Sequence, residues 1–323
     1  MRTLISNPHQ ISWVEAPQPI LSPGEVLLEP LAVGICGSDI HVFEGQHPFV
    51  SYPVYPGHEV AARVVRLGAG VDPSWQGALV AIEPSITCGR CEQCRSGHYN
   101  ICENLKVMGF QAPGAMADTF VSPTLNLHRL PENLDIELGA MVEPLAVAVH
   151  GVALTQVQGK KVGVLGGGTI GLLVAQVARA YGAASLEVVD LLESRRHIAQ
   201  SLGLAAKAPD QAKYEVIFEC VGSEKALEAA IQGIHKGGNI IVMGVYGKPT
   251  TLTAGLIQDW EIGLKGSLMY TYHDYQEAIR LFASGLVEGK PLITHRFALS
   301  QVKEAFEAAL EREKALKVML LVK

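Results

Sequence analysis

The rhythm of hydrophobic and polar positions changes near residue 145. Before it, short apolar segments such as Glu25–Val33, Glu59–Leu67 and Ala78–Glu83 are rich in Val, Ile, Leu or Ala and broken by Pro and Gly. Runs of this length between turn formers predict strands. After it, Lys161–Leu165, Ser185–Val189, Val216–Glu219 and Asn239–Met243 read as strands, and Thr169–Tyr181, Ser194–Leu202 and Lys225–Ile234 as helices. That alternation predicts a parallel, doubly wound sheet. Near the C terminus, Leu299–Glu311 has the period of an amphipathic helix, and the apolar Lys317–Val322 reads as a strand returning to the first domain. The expected fold class is α/β in two domains: a β-rich one over 1–145 and 290–323, and a doubly wound one over 146–289.

Composition narrows the possibilities. The 323 residues carry 26 Lys plus Arg against 32 Asp plus Glu, a net −6, so no nucleic-acid partner is expected. With 48% hydrophobic and 18% charged residues, the chain can bury a substantial core and is not disordered as a whole. The N terminus has no apolar signal core, so a cytoplasmic protein is expected. The uncharged run Val162–Ala178 holds five glycines and a polar Thr and Gln, which suits a turn entering a buried helix better than a membrane span. Six cysteines without a signal argue for metal or free thiols rather than a disulfide scaffold.

Gly166, Gly168 and Gly171 form Gly-x-Gly-x-x-Gly between an apolar strand and a helix that opens at Thr169 and Ile170. In that context the first glycine permits a tight turn, the second admits a pyrophosphate and the third lets helix pack on strand. Free N–H groups at the helix start complement the phosphates. Asp190 follows the next strand, where a carboxylate accepts from a ribose diol and repels a 2′-phosphate, so NAD is expected over NADP. Arg195 and Arg196 stand close enough in sequence to relax that preference by reaching the 2′ position.

Cys88, Cys91, Cys94 and Cys102 are spaced Cys-x2-Cys-x2-Cys-x7-Cys, which suits a closed, structural zinc site. An iron–sulfur cluster competes, but the last spacing departs from the short ferredoxin run and no Pro follows Cys102. Apart from this lobe (88–102) stand Cys36, in Gly-Ile-Cys-Gly-Ser-Asp-Ile-His, then His58-Glu59 after Pro56-Gly57, and Glu143 before Pro144. A thiolate, an imidazole and one or two carboxylates would make a second zinc site with room for an exchangeable ligand.

These motifs, in this order, resemble the zinc-dependent medium-chain alcohol dehydrogenases over essentially the whole chain, closest to the sorbitol (polyol), threonine and sugar-acid dehydrogenase branch. The resemblance implies a GroES-like β-rich catalytic domain and a Rossmann coenzyme domain, two Zn²⁺ per chain and NAD(H). It implies catalytic-zinc ligands Cys36 and His58 with Glu59 or Glu143, the choice between the glutamates left open. It implies a proton relay through Ser38 and His41, and cofactor contacts at Val221, Val245 and Ser267. Cys220 reads as a packing residue. Phe43, His47, Phe49 and Phe110 are candidates to line the substrate cleft.

The implied reaction is hydride transfer from a secondary alcohol of a polyol, sugar acid or related metabolite to NAD. Threonine or simple alcohols are alternatives within the class, and a non-catalytic NAD-binding regulator is the alternative outside it. Family habit implies a homotetramer, with a dimer as the alternative, a small-molecule alcohol as partner and no membrane. Two departures stand out. Ala62 replaces the usual glycine three places after Glu59, and the loop from Trp75 to Val80 lacks the usual Gly-Asp turn.

Overall fold

The computed structural model describes residues 1–322. The chain divides into two compact units. The first comprises Met1–Glu143, Thr271–Ala283 and the C-terminal stretch from Ile293; the second comprises Pro144–Tyr270 and Ser284–Leu292.

The first unit is built on a sheet with the strand order Ile293–Ala298, Lys317–Leu321, Glu25–Ile35, Glu59–Leu67, Leu79–Ile82, Leu127–Arg129; Phe120–Pro123 pairs along the other end of Glu25–Ile35. The C-terminal strand does return to the first unit, pairing antiparallel with Glu25–Ile35. The amphipathic segment before it divides into a 3₁₀ turn, Leu299–Gln301, and an α-helix, Val302–Leu310. Inward residues such as Val26, Leu28, Val33, Val60, Val64 and Val80 make the core with Phe43, Phe306 and Leu320. Phe43 is therefore a core residue, its ring 5.5 Å from that of Phe306, and does not line a cleft. Ala62 is fully buried in its strand without a positive φ, so its Cβ is accommodated beside a shift of register at Pro30/Ala32.

In the second unit all neighbouring strands are parallel, in the order Ala205–Lys207, Ser185–Val189, Lys161–Leu165, Tyr214–Glu219, Ile234–Val242, Gly263–Gly266. In sequence order this is 3-2-1-4-5-6, which places a switch point between Lys161–Leu165 and Tyr214–Glu219. The helix after the glycine loop, Thr169–Ala180, buries Leu172, Leu173, Val174, Ala175, Val177 and Ala178, with Gln176 among them hydrogen-bonded to the Glu288 backbone. Two features escaped the periodicity: a helix at Gly37–Phe43, directly after Cys36, and the helix Tyr272–Ala283, which belongs to the first unit. Among the described residues no helix is long and apolar enough to cross a membrane.

Candidate active site

Strand register assembles the principal site. Gly34 faces Glu59 across one strand pair, and Ile35 faces Val318 across the next, so Cys36, Glu59 and Lys317 meet at one end of the sheet. Gly57, at φ +106°, turns the chain into His58-Glu59 with backbone packed closely on Met116. The ligand atoms of Cys36, His58 and Glu59 then lie within 4.8 Å of one another. Gly34 is required here, because a Cβ at that position would fall 2.0 Å from the Glu59 carboxylate. The adjacency of His58 and Glu59 is resolved by placing Glu59 first in its strand and His58 just before it.

Two buried charged groups complete the cluster, and neither was assigned from sequence. Lys317, 3% exposed, donates to both carboxylate oxygens of Glu59 at 2.7 and 2.6 Å and to the Ile35 carbonyl at 3.2 Å. Burial alone would lower its pKa; the charges of Glu59, Cys36 and Glu143 outweigh this and raise it. Asp39 is fully buried: one oxygen accepts from the Cys36 N–H at 2.9 Å and the other lies 3.5 Å from His58 Nδ1. Burial opposes protonation of His58, but the Asp39 carboxylate and the Cys36 thiol it faces raise its pKa well above the ordinary imidazole value. A carboxylate behind a ligating imidazole fixes its tautomer and orientation. The only sequence signal for Asp39 was its place inside the Cys36 motif; for Lys317 there was none beyond a lysine opening an apolar strand.

Glu143 is buried at the start of the helix Val142–Ala153 and close enough for its charge to act on Lys317, but it is not within the three-residue ligand group. Ser38 and His41 lie three apart on the Gly37–Phe43 helix and share a face. His41 is half-buried; burial first, then the Arg312 guanidinium, lower its pKa against the opposing pull of Glu44. The Phe110 ring lies 4.9 Å from His58 and 5.0 Å from His47, while Phe49 is largely exposed. His128, unassigned from sequence, is buried between Glu83 at 3.2 Å and Gln276 at 2.8 Å and stacks on Tyr275, a packed core role.

The four lobe cysteines are free thiols whose sulfurs gather within 4.8 Å, with sulfur separations of 3.6, 3.9 and 4.0 Å. Thiolates at about 2.3 Å from a tetrahedral zinc would be about 3.8 Å apart, so the group fits that ion. Backbone N–H groups of Cys88, Cys91, Cys94 and Asn104 each point at a sulfur at 3.4 Å. Such donors pull the Cys88 thiol down to about 6 and lower Cys91, while burial and its neighbours push Cys94 up to about 12. Four clustered thiols resist carrying charge together without a cation.

In the second unit Gly166 has φ +101° and directly follows the strand Lys161–Leu165. Gly171 packs so closely that a Cβ would meet the Gly166 carbonyl at 1.8 Å. Gly168 caps the helix that begins at Thr169 and Ile170. Asp190 reaches back to this loop: its oxygens accept from Gly167 N–H at 2.6 Å and Leu192 N–H at 2.8 Å, and Arg195 lies 3.8 Å away. Val221 and Val245 are each 52% exposed, and the buried Ser267 hydroxyl has no hydrogen-bond partner among the described residues. A glycine cradle that a Cβ would fill, with a carboxylate beside it, fits a dinucleotide. Cys220 has its thiol pKa raised by burial and by Glu219.

Residues 22–132 match the alcohol dehydrogenase GroES-like domain family, and residues 169–284 match the zinc-binding dehydrogenase family. The sorbitol dehydrogenase of Bacillus subtilis (strain 168) is 31% identical over 98% of this chain and 96% of that protein. The chain belongs to the zinc-dependent medium-chain dehydrogenases. Its similarity extends to the 2-dehydro-3-deoxy-L-galactonate 5-dehydrogenase of Pseudoalteromonas atlantica, 36% identical over 88% of this chain and 87% of that one. It also extends to an Escherichia coli CFT073 alcohol dehydrogenase crystallised with NADH, which has a TM-score of 0.94 and 29% identity over 99% of this chain and 98% of that one. This medium-chain dehydrogenase is thus an oxidoreductase with a GroES-like and a Rossmann unit, and both of its metal-ligand groups fit zinc.

Proposed function

We propose that this dehydrogenase oxidises a secondary alcohol in a polyol, sugar acid or related hydroxylated metabolite, with NAD as hydride acceptor. The observation that carries the reading is the convergence of Cys36, His58 and Glu59 within 4.8 Å, backed by buried Asp39 and Lys317. The sorbitol- and galactonate-type relatives support a polyhydroxylated substrate. The Asp190 carboxylate beside the glycine loop supports NAD over NADP.

When bound, zinc supplies a Lewis acid that eases loss of the substrate hydroxyl proton, and the nicotinamide supplies the hydride acceptor. The chain does the rest. Cys36 and His58 hold the metal with Glu59, while Glu143 offers a second carboxylate, directly or through water. The Asp39 carboxylate, 3.5 Å from His58 Nδ1, favours a proton on that nitrogen and leaves the other available. Lys317 balances the Glu59 charge. Ser38 takes up the alcohol proton and passes it toward His41 on the same helix face, where burial and Arg312 keep the imidazole neutral and able to accept it. The lobe cysteines Cys88, Cys91, Cys94 and Cys102 hold a structural zinc. Gly166, Gly168, Thr169, Ile170, Gly171, Asp190, Arg195, Val221, Val245 and Ser267 bind the cofactor. A homotetramer, or else a dimer, and a cytoplasmic location complete the proposal on the habit of the family.

The test is NADH formation from NAD across polyols, sugar acids, threonine and short alcohols, each with and without a zinc chelator. Chelator-sensitive turnover on polyols or sugar acids is the expected result. Turnover only on threonine or short alcohols would replace the substrate class. None at all, in protein shown by elemental analysis to hold both zincs, would favour a binding role.

A further inference from the structure

The second unit contains a buried carboxylate with no part in the chemistry above. Glu219 ends the strand Tyr214–Glu219 on the far side of the switch point from Asp190, and it is fully buried. One side-chain oxygen accepts from the N–H groups of Val221 at 2.8 Å and Gly222 at 2.9 Å. The other accepts from the Tyr246 hydroxyl at 2.7 Å, and the Glu219 carbonyl accepts from Met243 and Gly244 N–H at 2.8 and 3.0 Å. A single residue therefore joins the loops that leave two neighbouring strands.

Those loops touch backbone to backbone. A Cβ at Gly244 would fall 2.0 Å from the Gly222 nitrogen, and one at Gly222, where φ is +75°, would fall 2.5 Å from the Val245 carbonyl. The closure aims two apolar side chains outward, since Val221 and Val245 are each half-exposed. Val221 also rests on the glycine turn, its Cγ2 only 2.8 Å from where a Gly166 Cβ would stand. In a sheet of this order the dinucleotide lies across the switch point at the carboxyl ends of the strands. Asp190 is on the adenosine side, so the joined loops are on the nicotinamide side.

We propose that Glu219 is a positioning residue for the nicotinamide half of the cofactor, acting with Tyr246 as a clamp that fixes Val221 and Val245 as one apolar platform. The inference rests on the dinucleotide reading of this unit. The clamp does not touch the adenosine half, which is held by the glycine loop and Asp190. Its loss should therefore weaken ligands carrying nicotinamide and spare those lacking it.

The experiment titrates NADH and ADP-ribose separately against wild-type protein and the variants Tyr246→Phe, Glu219→Gln and Glu219→Ala, with thermal melts to confirm folding. Tyr246→Phe loses one hydrogen bond and should weaken NADH about 2- to 10-fold. Glu219→Gln keeps one oxygen for the two N–H groups and turns its amide to Tyr246, so it should retain most of the NADH affinity. Glu219→Ala leaves two part-buried donors without their acceptor and should cost about 10- to 100-fold, and Tyr246→Phe, which leaves those donors satisfied, keeps the proposal testable if the alanine variant does not fold. ADP-ribose affinity should stay unchanged in every folded variant. Equal weakening of both ligands, or no weakening of NADH, would overturn the clamp. Wild-type protein that binds neither ligand would overturn the dinucleotide reading and the clamp with it.

Discussion

The two metal-ligand groups of this chain reach similar compactness by opposite routes. The lobe draws all four sulfurs from one local stretch between Cys88 and Cys102, and its stabilising donors are backbone N–H groups of the same stretch. The Cys36 group draws its ligands from separate segments, and its charge is balanced by Lys317, 258 residues from Glu59 in sequence. A local group can close with little help from the surrounding sheet. A dispersed one exists only when three strands are in register, which makes it sensitive to the fold.

The largest effects should separate these routes. Cys102→Ser is expected to remove the lobe zinc and, with on the order of 10 kcal/mol of metal binding tied to folding, to unfold the lobe. Elemental analysis together with limited proteolysis around 88–102 would show it. Cys36→Ser should abolish turnover yet leave the melting curve nearly unchanged; equal destabilisation by both variants would erase the contrast.

Next comes Lys317→Met, which leaves the buried Glu59 carboxylate uncompensated and should cost about 3–5 kcal/mol in urea unfolding of the metal-free protein. Bound zinc should recover part of that loss, so the difference between metal-free and zinc-loaded protein is the sharper measurement. The Lys317 pKa is raised, so its contribution is complete below the ordinary lysine value and is lost as pH climbs through the raised one. It should be constant across the neutral range.

Asp39→Asn should lower affinity for the catalytic zinc about 10- to 100-fold through looser orientation of His58, measured by competition with a chelator while the lobe metal stays bound. The smallest effect should be Arg312→Gln. The His41 pKa is depressed by burial and then by Arg312; removing the guanidinium also frees Glu44, and both changes raise it. If His41 serves in the proposed relay, it accepts a proton only when neutral, so the acid limb of the kcat profile should move to higher pH, with activity at alkaline pH unchanged. A profile that does not move would take His41 out of the relay.

Much of the site was legible in the order of residues. Cysteine spacing announced the lobe, and Gly166, Gly168 and Gly171 with Asp190 announced the dinucleotide turn, because both depend on contacts within a short span of chain. Phe43 misled for the complementary reason: an aromatic near a catalytic motif gives no sign of which way its helix faces, and here it packs on Phe306. His128 stayed unassigned because its partners, Glu83 and Gln276, are 45 and 148 residues away.

Periodicity and short-range spacing encode local geometry directly, so the two-unit α/β plan, the closed cysteine site and the glycine turn were all readable from the order of residues. That Glu59 joins Cys36 and His58 while lying on a buried lysine, that Asp39 stands behind His58, and that Glu219 ties two loops together emerge with the folded sheet. Those are decisions of strand register and burial. A carboxylate brought out of water must find a partner, and its partner is whichever donor the folded sheet sets beside it.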